Sequence, residues 1–179
     1  NFNFNGYGKY PNYKNDNFLS DIICDQFKIP YKNSSITLEG GGITYDDQGN
    51  LFTTESVLLN SNRNNLSKQF LEEELKKQFS LKNVIWLKEG LFGDDTDGHI
   101  DNIFCPIGND QYLIASTKDN TSKNYYILQE AKELVEEYLS RLNPKIEIIE
   151  IPLPSEIEID NKVLVCLLYT SDAADDLLC

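Results

Sequence analysis

The chain has 179 residues, of which 40% are hydrophobic and 25% charged, a length and composition typical of one soluble globular domain. Its formal net charge of −13 argues against nucleic acid as a partner, because phosphate binding needs clustered Lys and Arg side chains. The sequence shows neither an apolar run long enough to span a membrane nor a signal peptide, so we predict no membrane partner.

The first predicted elements are a polar loop and a short helix. Residues 1–18 are rich in Asn, Tyr and Gly, which favour loops, and residues 20–27 are predicted to be helical, ending before Pro30. A strand in ITLEGGGITY, a turn in DDQGN and a second strand region in LFTTESVLLN follow. A helix over residues 67–79, with Leu71, Leu75 and Phe79 on one face, and a short strand in VIWL complete this unit.

The same order of elements is predicted a second time along the chain. HIDNIFCPI is strand-like, IGNDQ is a turn, YLIAS is a strand, and KIEIIEI alternates as a strand after a longer helix. The apolar stripe of that helix is predicted to comprise Ile127, Ala131, Leu134, Val135, Tyr138 and Leu142. Corresponding positions of the two units, such as Glu39 and His99, lie roughly sixty residues apart, which indicates repeated strand–strand–helix–strand modules.

The stretch GDDTDGHIDN contains the single histidine of the chain, His99, among the carboxylates Asp94, Asp95, Asp97 and Asp101. A solvated acidic loop is the simplest interpretation, because Asp, Gly and Thr favour turns. The repeat suggests a second interpretation, since equivalent positions of modules that are arranged in a ring converge on the axis of the ring. Glu39 is then predicted to meet His99 across a central cavity. Two tandem units whose loops never meet are the alternative.

Glu39, His99 and Asp101 together have the chemistry to bind and protonate a planar cation. A carboxylate beside His99 orients the imidazole ring, which can then exchange a proton with a substrate or leaving group. Asp101 lies on the same side as His99 if the segment is extended, and a carboxylate there can bind a guanidinium by paired hydrogen bonds. The glycines Gly40–Gly42 allow the backbone to approach such a site closely.

Metal binding and cysteine chemistry are competing interpretations. The calcium-loop pattern fails because it needs a carboxylate where Phe104 stands, whereas a catalytic divalent cation at His99 and its carboxylates stays open. The four cysteines lack metal-type spacing and favour a reducing compartment, so we predict a cytoplasmic protein. Cys105, within IFCPI, is predicted to be a small buried hydrophobe rather than a nucleophile. Arg63 either braces the LLNSNRNN connection or lines a pocket rim.

Three stretches resemble the agmatine deiminases of the guanidine-modifying, amidinotransferase-like superfamily, namely FNFNGYGKYPNY, LEGGGITYDDQGNLFTTESVLLNSNRN and VIWLKEGLFGDDTDGHIDN. The similarity extends from about residue 2 to about residue 164. It implies an α/β fold that is part of a five-bladed pseudosymmetric propeller built of ββαβ modules. It also implies a hydrolase that converts agmatine, a small cationic guanidine, to N-carbamoylputrescine and ammonia through a covalent cysteine intermediate, on a route to putrescine. The resemblance implies no cofactor and no metal, and is compatible with a homo-oligomer.

The resemblance also suggests roles for four residues. His99 of the DGHID motif looks like the general acid and base, and Glu39 of EGGG looks like a carboxylate that binds the guanidinium and supports that chemistry. Asp101 looks like a second guanidinium ligand. Asp95 looks like a substrate contact at the amine end.

The two ends of the sequence depart from the family pattern. The chain has no methionine, and it matches neither the family's upstream Trp–Arg–Asp segment nor its glycine-rich segment with the nucleophilic cysteine. We therefore expect residues 1–165 to be a partial catalytic domain of two to three modules, residues 166–179 to be a foreign-looking tail, and the chain as given to be inactive. A bacterial-type peptidylarginine deiminase and a non-catalytic module that binds a cationic ligand are the alternatives.

Overall fold

A computed structural model describes residues 1–154 and the backbone of two short antiparallel strands, Ile157–Ile159 and Lys162–Leu164. The foreign-looking tail predicted for residues 166–179 lies outside the described residues, as do Cys166 and Cys179. Among the helices of the described part, none is long and apolar enough to cross a membrane.

The first repeated unit, module A, is a three-stranded sheet with a crossover helix. Its strands β1 (Ile43–Tyr45), β2 (Asn50–Thr54) and β3 (Asn83–Leu87) lie side by side in that order. β1 and β2 are antiparallel and joined by a short turn. β2 and β3 are parallel, which requires a long connection, and α2 (Glu55–Leu58) and α3 (Lys68–Phe79) supply it.

The helix α3 begins and ends where its sequence predicts. The Ser67 hydroxyl accepts a hydrogen bond from Phe70 N at 3.2 Å and caps the helix, and Ser80 ends it in the left-handed conformation. Leu71 and Leu75 are fully buried, which confirms the predicted apolar face, whereas Phe79 at the end of that face is 36% exposed.

The second unit, module B, repeats the order and the strand directions of module A. Its strands are β4 (Phe104–Gly108), β5 (Gln111–Ser116) and β6 (Glu147–Pro152), and α4 (Asn124–Leu142) connects the last two. β4 and β5 are antiparallel, and β5 and β6 are parallel. Two successive ββαβ modules are therefore present, which confirms the repeat predicted from the sequence.

The buried face of α4 differs in part from the predicted stripe. Ala131 and Val135 are buried as expected, but Leu128 and Leu139 complete the face, while Leu142 is 53% exposed. Ile127, Leu134 and Tyr138 are only half-buried. The apolar residues of α4 cover more than one face of the helix. The predicted stripe therefore included residues at the edge of the buried face and omitted two residues at its centre.

Four predicted elements change at 3-10 turns or at helix starts. The N-terminal helix α1 (Lys14–Phe27) begins earlier than the predicted residue 20. The stretch ITLEGGGITY is not one strand, because Gly40–Gly42 forms a 3-10 turn before β1. HIDNIFCPI is likewise broken by a 3-10 turn, Ile100–Asn102, before β4. LFTTESVLLN bends from β2 into α2 after Thr54.

An aromatic contact joins the two modules. Phe52 of β2 lies against Phe104 of β4, with ring centroids 4.6 Å apart, and Phe104 stacks on Tyr112 of β5. Phe52 and Phe104 belong to one buried cluster with residues of α4. The burial of this cluster fixes β2 relative to β4. Because β1 pairs with β2, the two 3-10 turns that precede β1 and β4 are brought to the same side.

Candidate active site

The two 3-10 turns bring the predicted pair together. Glu39 immediately precedes Gly40–Gly42, and His99 immediately precedes Ile100–Asn102. Both side chains are buried, and His99 Nε2 lies 3.9 Å from Glu39 Oε2. The predicted approach of Glu39 to His99 is confirmed, and the alternative in which the loops never meet is wrong.

The facing atoms of this pair are buried without a hydrogen-bond partner. Within the part of the chain that the structure describes, neither Glu39 Oε2 nor His99 Nε2 makes a hydrogen bond. Most buried polar atoms of proteins are hydrogen-bonded, and each exception calls for a reason such as a catalytic role or a bound group. The geometry therefore suits a ligand that donates to the carboxylate and exchanges a proton with the imidazole.

Asp101 joins the pair, although not for the predicted reason. Its segment is a 3-10 turn rather than an extended strand, so the expected alternation of side chains does not apply. A side chain at Gly41 would nevertheless meet both residues, because its Cβ would lie 2.5 Å from Asp101 Oδ2 and 2.6 Å from His99 Nδ1. Glu39, His99 and Asp101 therefore surround the glycine turn, with Asp101 on the exposed side.

The two carboxylates of this group have opposite pKa shifts. Burial disfavours the charged form of Glu39, but its neighbours His99 and Arg63 outweigh burial, and the pKa of Glu39 is lowered. Loss of hydration raises the pKa of Asp101, and the charge of Asp94 adds to this against the opposing effect of His99. Glu39 therefore keeps its charge to lower pH than an ordinary glutamate, whereas Asp101 is protonated more readily than an ordinary aspartate.

Asp94 organises the loop that leads to His99, a role that the sequence analysis missed. Its Oδ1 accepts from Thr96 N at 2.9 Å, and its Oδ2 accepts from His99 N at 2.9 Å and from Asn102 Nδ2 at 3.0 Å. Asp followed two residues later by Thr is a common signal for such a side-chain-to-backbone turn. Asp94 thus positions the backbone of His99, and its buried carboxylate is already hydrogen-bonded.

Asp95 and Asp97 lie on the outer side of the same loop, beside the N-terminal segment. Asp95 is exposed, its carboxylate accepts a hydrogen bond from the Tyr10 hydroxyl, and its carbonyl accepts from Lys9 Nζ at 2.6 Å. Asp97 forms ion pairs with Lys9, at 2.7 Å, and with Arg63. Of these two acids, only Asp95 has the exposure expected of a solvated loop.

Arg63 braces the connection between α2 and α3 instead of lining a rim. Its side chain is fully buried, and its Nε donates to Glu39 Oε1 at 2.9 Å. The sequence signal was an isolated arginine in the Asn-rich stretch LLNSNRNN, which cannot by itself indicate its partner. The structure supplies that partner and resolves the two predicted alternatives in favour of bracing.

The two described cysteines do not belong to this group. Cys105 is exposed on β4, so the prediction of a buried small hydrophobe is wrong; strand alternation buries its neighbour Phe104 instead. Cys105 Sγ donates to Pro106 O at 3.5 Å, and Cys24 Sγ on α1 donates to Asn1 Oδ1 at 3.8 Å. Both thiols thus bond to groups other than Glu39, His99 and Asp101.

Known proteins resemble this chain in both sequence and fold. A family model described as Porphyromonas-type peptidyl-arginine deiminase matches residues 1–170. The chain is 38% identical over 157 residues to an agmatine deiminase of Medicago truncatula, and 34% identical over 155 residues to one of Pseudomonas aeruginosa. These alignments cover 87% and 86% of this chain and 42% of each relative.

A solved structure has a similar fold. An agmatine deiminase of C. jejuni, a cysteine-to-serine variant with substrate bound, is 31% identical and has a TM-score of 0.83. The match covers 93% of this chain and 49% of that chain. The chain therefore spans less than half the length of each of these three relatives.

Proposed function

The chain belongs to the family of Porphyromonas-type peptidyl-arginine deiminases, and we propose that the full-length protein, which contains this chain in whole or in part, is an agmatine deiminase. It hydrolyses the guanidinium group of agmatine to give N-carbamoylputrescine and ammonia. The observation that carries the proposal is the buried pair of Glu39 Oε2 and His99 Nε2, which face one another at 3.9 Å without hydrogen-bond partners among the described residues.

The carboxylates of the site bind the guanidinium. Glu39 Oε1 is occupied by Arg63, so Oε2 accepts from an N–H of the substrate. Asp101 accepts from a second N–H at the exposed side of the glycine turn, and such charge-assisted bonds both bind and orient a planar cation. The net charge of −13 favours the approach of a cationic substrate.

His99 carries protons in both halves of the reaction. A cysteine thiolate attacks the guanidinium carbon, and His99 donates a proton to the departing nitrogen, which leaves as ammonia. His99 then takes a proton from a water molecule as that water attacks the thiouronium carbon. The carbon–sulfur bond breaks, and the ureido product and the thiolate are formed. Glu39 Oε2, which faces His99 Nε2 at 3.9 Å, pairs with the imidazolium that exists before the first proton transfer and after the second.

The nucleophile in this proposal is neither Cys24 nor Cys105. Cys105 is exposed on β4, and Cys24 bonds to Asn1. We propose a cysteine because the sequence resembles a family whose reaction uses one. The inactivity of residues 1–179 on their own therefore stays a prediction.

The choice of agmatine over an arginine within a peptide rests on the amine end of the substrate. Agmatine carries a second cation there, and the exposed carboxylate of Asp95 is proposed to bind it. The relatives at 34% and 38% identity are named agmatine deiminases, which supports this choice. The family model is named for peptidyl-arginine deiminases, so that activity is the second candidate.

The test is to compare agmatine with a peptide that contains an internal arginine, as substrates of the purified full-length protein. We expect kcat/KM to be roughly 100-fold higher for agmatine, because an internal arginine of a peptide lacks the primary amine that Asp95 is proposed to bind. A preference for the peptide would support the second candidate. Binding of agmatine without ammonia release would instead indicate a non-catalytic module.

Replacing Asp101 by Asn is expected to weaken both binding and turnover of agmatine. The change keeps the shape of the side chain but removes one charge that faces the guanidinium, and charge-assisted hydrogen bonds are worth about 1.5–3 kcal/mol. We expect kcat/KM to fall at least about tenfold, from steady-state assays of ammonia release. Unchanged kinetics would exclude Asp101 as a guanidinium ligand.

Gly41→Ala is expected to impair the site without unfolding the protein. The new Cβ would lie 2.5 Å from Asp101 Oδ2 and 2.6 Å from His99 Nδ1, so both side chains must move. Because both atoms belong to side chains rather than backbone, thermal stability should change little while kcat/KM falls at least about tenfold. Gly40→Ala is the matched control, since its Cβ would meet nothing within 4 Å. Equal activity of the two variants would contradict the packing described here.

The larger architecture and the location are also proposals. We propose that modules A and B are two blades of a five-bladed α/β propeller, because their pre-strand turns converge as such a ring requires. Residues 1–165 would then be part of its catalytic domain. The proposed cytoplasmic location rests on cysteine usage, and fractionation of cells that contain the native protein tests it. A homo-oligomer is compatible with the family, and the mass of the protein in solution tests that proposal.

A further inference from the structure

Arg63 is a buried charge that connects two parts of the proposed site. Its side chain is 0% exposed, and a buried guanidinium is costly unless its N–H groups are paired. It belongs to the connection between α2 and α3 of module A, and one of its partners, Glu39, precedes β1 of the same module. Its other partners include residues of the loop that leads to His99.

The donors of Arg63 are divided between these two loops. Nε donates to Glu39 Oε1 at 2.9 Å. Nη2 donates to Thr96 O at 2.9 Å, and Nη1 donates to Asp97 Oδ2 and to Asn62 Oδ1. The rigid, planar fork of an arginine suits such divided bonding, which a lysine cannot reproduce from a single nitrogen.

This bonding determines which oxygen of Glu39 is left for chemistry. With Oε1 held by Arg63, Oε2 is the atom that faces His99 Nε2 at 3.9 Å. Arg63 also contributes to the lowered pKa of Glu39, against the effect of burial. The same guanidinium therefore sets the orientation of the carboxylate and favours its charged form.

We propose that Arg63 is a positioning residue that holds the Glu39 carboxylate with Oε2 towards the substrate and locks the loop at Thr96 and Asp97 that carries His99. The inference rests on the proposed function. Arg63 acts through Glu39 and is not itself a substrate ligand, because its guanidinium has the same charge as the substrate and its N–H groups are engaged by protein oxygens.

The test uses three variants of the full-length protein: Arg63→Lys, Arg63→Gln and, as matched control, Arg141→Gln. Arg141 is the other arginine of the chain and pairs with Glu137 on the exposed face of α4. We expect kcat with agmatine to fall about tenfold in Arg63→Lys and roughly 100-fold in Arg63→Gln, with a smaller change in KM. The control should match the wild type.

The pH profile separates positioning from a merely structural role. Loss of the arginine charge raises the pKa of Glu39, so the acidic limb of kcat/KM should move to higher pH in Arg63→Gln. Arg63→Lys retains a charge, and its acidic limb should stay closer to that of the wild type. A general loss of stability lowers activity at all pH values and does not produce this order.

Each outcome of these measurements either supports or overturns the positioning role of Arg63. If Arg63→Gln does not fold, Arg63→Lys alone is used, and wild-type kcat in that variant overturns the role. If both variants fold and their acidic limbs match the wild type, Arg63 does not act through Glu39. If the wild-type protein leaves agmatine unchanged, the proposed function is wrong and the role of Arg63 is wrong with it. If the wild-type protein is active but the Arg63 variants are as active as the wild type, only the role of Arg63 is wrong.

Discussion

Replacing His99 by Ala is expected to abolish most of the agmatine turnover by the full-length protein, with kcat reduced by about 10²- to 10⁴-fold. His99 is the proton carrier for both the departure of ammonia and the attack of water, so its loss affects both steps. The chain has one histidine, so no second imidazole of this chain can substitute.

The same substitution should leave the fold intact, which separates chemistry from stability. His99 Nε2 makes no hydrogen bond within the described residues, and the buried Glu39 keeps its ion pair with Arg63 at 2.9 Å when the imidazole is removed. The backbone N–H of His99, which bonds to Asp94, is retained in the alanine variant. We expect a thermal midpoint within a few degrees of the wild type, and binding of agmatine measurable by calorimetry. Turnover above about a tenth of the wild-type value would exclude His99 as the acid and base.

Gly90→Ala is expected to destabilise the fold more than Gly40→Ala or Gly41→Ala. A Cβ at Gly90 would lie 2.0 Å from Gly98 Cα and 2.4 Å from Gly98 O, where two backbone segments cross. Backbone cannot move aside as a side-chain end can, and Gly98 is also held by Thr54 Oγ1 at 2.7 Å. We expect the free energy of unfolding to fall by about 3 kcal/mol or more, measured by urea denaturation.

The effect should reach the site as well, because Gly98 immediately precedes His99. Gly40→Ala again serves as control, since no atom lies within 4 Å of its added Cβ. If Gly90→Ala were as stable as the control, the crossing of the two segments would be wrong.

The repeat was the part of the fold most readily predicted from sequence. The apolar spacing of the helix predicted over residues 67–79 and the position of VIWL are local signals, and each agrees with the structure. The two 3-10 turns were missed because Gly40–Gly42 and Ile100–Asn102 sit inside apolar stretches that also fit a strand. Their conformation depends on the packing of one turn against the other, which periodicity does not record.

The site was predictable only where it follows from the repeat. Glu39 and His99 occupy equivalent positions of two modules, so their approach could be inferred without a structure. The bonding of Arg63 to both Glu39 and the loop at Thr96 depends on contacts between residues distant in sequence, and no local pattern encodes it. The exposure of Cys105 was likewise decided by which face of β4 packs inward.

The most direct test of the proposed activity is to identify the products formed from agmatine by the full-length protein in ¹⁸O-labelled water. The proposal predicts ammonia and N-carbamoylputrescine in equal amounts, with one oxygen from the labelled water in the ureido carbonyl, and far less of both products from the His99→Ala variant. Formation of urea and putrescine would contradict it, because a different carbon–nitrogen bond would then have been cleaved.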